Sequence, residues 1–183
     1  ETERQAVQRS AATVSRVEAR RIAARVQQWV DAAPSGWVKR PDLLSAAADL
    51  YADLGPGYFE QACALYQRAI VAADGAGRVP IRAIEQLGNV EARLGEQTND
   101  AELVARGIAR LQQLVRVTGD PLPGEAPGPG EREVPANAER AALIGSAWKR
   151  KAAVHARAYL HDGDEADFTQ LKESLTRSTE AYY

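Results

Sequence analysis

"LYADLGPGYFEQACALYQRAI", residues 50–70, holds two amphipathic helical pieces separated by two glycines and a proline. A helix that stops at Leu54 and resumes at Tyr58 with the same small and aromatic spacing reads as a helical hairpin. The first piece runs back to Pro41 and Asp42, since proline suits a first helical turn and a carboxylate suits the positive end of the helix dipole. The second runs on to about Ala73 with Phe59, Ala62, Leu65, Tyr66, Ala69 and Ile70 on one side, and "DGAGR" closes it.

The same period extends outward in both directions. Residues 3–33 carry Val7, Val14, Val17, Ile22, Val26, Trp29 and Val30 at spacings that draw one apolar stripe on a helix, ended by Pro34, Ser35 and Gly36. A helix from Pro80 to Leu94 places Ile81, Ile84, Leu87, Gly88 and Leu94 together, with Gly95 as its stop. Asp100 caps a further helix to Val117. Residues 119–135, "GDPLPGEAPGPGEREVP", contain five prolines and four glycines and read as a flexible loop. Helical pattern returns over Asn137–Leu160 and Glu165–Tyr182. Alternating strand-like stretches are absent, so the fold class is all-α, with about seven helices in antiparallel pairs.

The pairs superimpose on one another. "LLSAAADLYADLG", "AIEQLGNVEARLG" and "AALIGSAWKRKA" align on a small residue at Ala48, Gly88 and Gly145, preceded four positions earlier by Leu44, Ile84 or Ala141 and followed three later by Tyr51, Glu91 or Trp148. A small residue on a buried face lets a neighbouring helix approach closely while larger side chains fill the space on either side. On these residues, and above all on Ala48, Tyr51, Gly55, Ala62, Tyr66 and Ala69 within 44–70, the chain resembles the tetratricopeptide repeat (TPR) family. It departs from the family's 34-residue unit by about two extra residues at "GPGYFEQA", by a longer turn at "GEQTNDAEL" and by the loop 119–135. "RAIEQLGNVEARLGE" and "AERAALIGSAWKR" are also similar to TPR regions of large bacterial proteins, some with caspase-like CHAT peptidase domains.

The resemblance implies a single TPR-like domain over 1–183, its hairpins stacked as a right-handed superhelix. Residues 1–34 are its cap or partial repeat, 41–74 repeat 1, 80–118 repeat 2 and 136–183 repeat 3. It implies a protein-interaction or regulatory module whose first helices line a concave groove for a peptide or partner domain, here offering Asp49, Arg82, Glu85, Asn89, Arg93, Ser146, Lys149 and Arg150. Two further readings stay open: a segment that packs against a neighbouring effector domain or oligomerises, and a sensor of a small molecule or signalling peptide.

Composition narrows the chemistry. Twenty-three Lys and Arg against 25 Asp and Glu give a net charge of −2, so bulk charge makes no case for nucleic acid or an anionic membrane. The single cysteine, Cys63, can form no internal disulfide, which fits a reducing, cytoplasmic setting. No nucleophile elbow or phosphate-binding glycine loop is present, and the chain reads as non-enzymatic, without cofactor or metal. His155 and His161, followed by "DGDEAD", lie six apart on different helical faces and read as flanking a solvated turn in which Asp164 and Glu165 begin the last helix. Trp148 reads as core; Trp37 either covers the end of the first hairpin or marks a contact with another domain. The start at Glu1 and the end at "TEAYY", within a helical pattern, read as a segment of a larger protein.

Overall fold

The computed structural model describes residues 3–32, 36, 40–75, 77, 80–118 and 138–182. Within them the chain forms seven α-helices, one 3-10 turn and no strand. The helices are α1 (Glu3–Ala32), α2 (Pro41–Asp53), α3 (Phe59–Asp74), α4 (Ile81–Thr98), α5 (Ala101–Thr118), α6 (Ala138–Asp162) and α7 (Glu165–Tyr182). The expected loop 119–135 and Trp37 lie outside the described residues, as do the side chains of Val7 and Val14.

Local chemistry explains the boundaries. Pro41 opens α2, and Arg40 holds Asp42 in its first turn through Nε at 2.9 Å and Nη2 at 2.5 Å. Beyond Leu54, Gly55 takes φ 97°, a left-handed conformation that side chains resist, and Pro56–Tyr58 winds one 3-10 turn into α3. Of the two glycines in "GPG", only Gly55 needs that freedom. The Asp100 carboxylate accepts the Leu103 N–H at 2.9 Å, and the Asp164 carboxylate accepts that of Ala166 at 2.9 Å, so both expected acidic caps form.

Gly95 does not end α4. The helix runs on to Thr98, where Asn99 adopts the left-handed cap with φ 57°. Gly95 is instead buried inside it, because a Cβ there would stand 2.7 Å from both the Asp100 carbonyl oxygen and Val104 Cγ2. The "GEQTNDAEL" stretch is therefore mostly helix, with only Asn99 and Asp100 between α4 and α5. The buried side of α4 is also rotated from the expected stripe: Ala83, Leu87, Gly88, Val90, Glu91 and Ala92 are buried, whereas Ile81 is exposed and Ile84 and Leu94 half-buried.

Three hairpins result, α2 on α3, α4 on α5 and α6 on α7, joined by α3–α4 and α5–α6 contacts; α4 also meets α6, and α1 lies against α2. The aligned small residues sit at the close approaches. Ala48 is fully buried. A Cβ on Gly88 would fall 2.9 Å from Leu111 Cγ, and one on Gly145 would fall 2.8 Å from the Tyr182 ring. Two buried clusters fill the interior. One joins Ala23 and Val26 of α1 with Leu44, Tyr51, Phe59, Leu65, Tyr66, Leu87 and Val90; the other joins Ala92 with Val104, Ile108, Leu111, Val115, Ile144, Val154 and Ala181. Both draw on α4. Trp148 packs half-buried against the second.

Candidate functional site

Eight polar residues were expected to share a groove, and the structure divides them. Asp49 of α2 accepts a hydrogen bond from the Tyr66 hydroxyl at 2.5 Å and pairs with Arg82 of α4 at 3.0 Å. That carboxylate, with desolvation, pushes the Tyr66 phenol well above its ordinary range; burial is the larger cause. Glu85 is held by Arg140 of α6 at 3.1 Å with both side chains largely buried. These charges neutralise one another across the hairpins. The Ser146 hydroxyl turns to the Tyr182 hydroxyl of α7 at 2.9 Å, Lys149 is exposed, and Asn89 is half-buried on α4.

Arg93 and Arg150 come together. They line a cleft of about 430 Å³ with Pro56, Phe59, Glu96, Gln97, Asn99 and Arg157. The Arg93 guanidinium lies 4.3 Å over the Phe59 ring centre, a cation–π contact between hairpins of about 0.5–2 kcal/mol. Burial, reinforced by the neighbouring Arg150 cation and opposed by Asp53, holds Arg93 below the usual arginine value. Among the described residues no carboxylate lies within ion-pair distance of Arg93. Arg150 pairs with Glu96 at 3.3 Å and donates to the Ser146 carbonyl at 3.1 Å; Arg157 donates to the Glu96 carbonyl at 2.8 Å and reaches its carboxylate at 3.7 Å.

One cleft residue outside the expected set carried a readable signal. Arg157 follows Arg150 by seven positions, which puts both on one face of a helix. Glu96 and Gln97 fall beyond the expected stop at Gly95, so only the true length of α4 brings them in. Phe59 and Pro56 arrive from the first hairpin, a convergence that no local spacing encodes.

Other candidates take structural positions. His155 is not on the solvated turn: its Nδ1 lies 2.7 Å from Asp167 across the α6–α7 contact. Its Nε2 and the Ser174 hydroxyl are both buried and neither bonds the other, so Ser174, His155 and Asp167 do not form a Ser–His–Asp relay. Burial pushes the Cys63 thiol up to about 12, with Glu91 adding to the effect, which leaves it a poor nucleophile. Among the described residues no group of three or more His, Cys, Asp or Glu is placed to hold a metal, and no helix is long and apolar enough to cross a membrane.

Fold and cleft together describe an all-helical chain of packed hairpins with a basic cleft lined from α3, α4 and α6. Compared with protein-family models, curated proteins and solved structures, the chain matches none.

Proposed function

We propose that this chain is a non-catalytic, cytoplasmic protein-interaction module on a TPR-like plan, in which the cleft between α4 and α6 receives the acidic part of an extended partner segment. The observation that carries the reading is Arg93, a cation stacked on Phe59 in a cleft with two further arginines and without a carboxylate of its own among the described residues. An unpaired, partly desolvated guanidinium is costly to keep unless a ligand uses it. The successive packing of the three hairpins and the small residues at their close approaches support the repeat plan. Because Asp49, Arg82 and Glu85 spend their charge within the fold, the interaction centres on Arg93, Arg150 and Arg157 rather than on the whole row of first helices.

A photo-cross-linking amino acid at Gln97, which lines the cleft, compared with one at Val71, 72% exposed on α3, tests this in cell extract. The expected result is a discrete adduct from position 97 only, lost on Arg93→Glu. Equal adducts from both positions, or an adduct indifferent to Arg93, would rule the reading out.

A second reading, packing of the last hairpin against another domain or a second copy, draws on Leu160 (83% exposed) and on Leu175 and Tyr182, seven apart on α7 and about half exposed. Its second-copy form requires the chain to self-associate, and light scattering showing a monomer at high concentration would remove that form.

A further inference from the structure

We propose that the cleft seats a phosphate monoester, carried on a phosphorylated side chain of the partner segment. This rests on the interaction reading above and gives it a ligand chemistry.

The first argument is charge. Among the described residues three guanidiniums and one carboxylate, that of Glu96, line the cleft of about 430 Å³, so its lining carries two more positive than negative charges, with Asp53 acting on Arg93 from outside the lining. A single carboxylate brings one negative charge and is saturated by one arginine fork. A phosphate monoester brings about −1.5 to −2 at neutral pH and three strong acceptor oxygens.

The second argument is donor supply. Each guanidinium has five N–H groups. Arg150 donates Nη1 to the Ser146 carbonyl and Arg157 donates Nη1 to the Glu96 carbonyl, while the Glu96 carboxylate lies within ion-pair distance of Arg150 Nε at 3.3 Å and Arg157 Nη2 at 3.7 Å. Arg93 makes no hydrogen bond to an acceptor among the described residues, yet its guanidinium carbon is held 4.3 Å over the Phe59 ring centre. Glu96 thus holds two of the cations in place without neutralising the third. Donors from three side chains on two helices, one on α4 and two on α6, line the one cleft, and a tetrahedral oxyanion with three acceptor oxygens can engage more of them than a planar carboxylate can. Pro56 supplies an apolar edge for the carbon chain that bears the phosphate, Phe59 lies beneath Arg93 as its support, and Gln97 and Asn99 form a polar rim. The volume falls within the range of small-ligand pockets, about 300–1,000 Å³.

The test is a titration of the full, isotope-labelled chain, observed at the arginine Nε–H resonances by NMR. The probes are acetyl-Ala-phosphoSer-Ala-amide, its unphosphorylated form, acetyl-Ala-Glu-Glu-Ala-amide and inorganic phosphate. The phosphoserine peptide should move Arg93, Arg150 and Arg157 together and saturate at a concentration at least tenfold below each of the other three. Arg93→Gln should raise its half-saturation about tenfold. Arg157→Gln, at a side chain 52% exposed and outside both buried clusters, should raise it severalfold with the fold intact by circular dichroism. The proposal is overturned if the Glu-Glu peptide binds as tightly, if inorganic phosphate matches the peptide, or if the shifts fall equally on Arg82 and Arg110. A Gln97 adduct that depends on Arg93, without any phosphate preference, would remove the phosphate seat and leave the interaction module. Phosphopeptide binding without a Gln97 adduct would remove the module alone.

Discussion

At Gly107 the α4–α5 contact has room for a hydrogen and nothing larger: a Cβ there would stand 2.5 Å from the Gly88 carbonyl oxygen and 3.0 Å from the Ala92 nitrogen. Glycine to alanine inside a helix normally gains about 1 kcal/mol in intrinsic propensity. Here overpacking, typically about 1–3 kcal/mol, opposes it against backbone atoms that cannot rotate away. Gly107→Ala should therefore lower the urea midpoint with an unchanged slope, a net loss of about 1 kcal/mol; a gain would mean that the helices stand further apart. Charge burial gives a second test. Glu91, its side chain 4% exposed, is gripped by Arg110 through Nε at 3.0 Å and Nη2 at 3.2 Å. Arg110→Leu strands that carboxylate and should cost about 2 kcal/mol, discounted because Arg110 is itself a third exposed. Adding Glu91→Leu should recover most of the loss in the same denaturation experiment, since a buried pair replaced by apolar groups is often neutral.

Single elements show what the sequence does and does not reveal. The helices were legible because their apolar residues recur with helical period, and the caps at Asp100 and Asp164 because a carboxylate before a helix has one economical use. The end of α4 was misread because glycine has two roles, stopping a helix or admitting a neighbour, and only the position of Val104 decides between them. The Glu91–Arg110 pair spans two helices and left no local trace, and Asp49, Arg82, Glu85 and Ser146 among the expected groove residues are engaged by partners that only folding supplies. α1 carries its own prediction. Its 30 residues span about 45 Å against about 20 Å for the 13 of α2, so α2 cannot cover it, and Val17, Ile22 and Trp29 remain exposed. Its attachment includes buried Ala23 and Val26 and the Tyr51 hydroxyl, 3.2 Å from the Ala23 carbonyl and from Gln27 Oε1. Amides of α1 should exchange at least tenfold faster than those of α4, and Tyr51→Phe should quicken α1 further, at a cost of about 1 kcal/mol, without altering α5–α7.

Across the whole molecule the two buried clusters behave as neighbours that share a wall. Leu87, fully buried, belongs to the first, so Leu87→Ala should cost about 2–5 kcal/mol. Hydrogen exchange should then rise first in α2 and α3 and later in α6 and α7, as in stacked repeats, where each unit leans on its neighbours. Uniform acceleration throughout would show instead a single cooperative block. The double burial of α4 has a practical consequence. A chain divided between α3 and α4 separates Tyr51, Leu65 and Tyr66 from Ala83, Leu87 and Val90, so each piece keeps complete hairpins yet bares one half of a matched apolar face. Such pieces are complementary fragments whose reunion can be coupled to a reporter, with the mismatched surface itself driving reassembly.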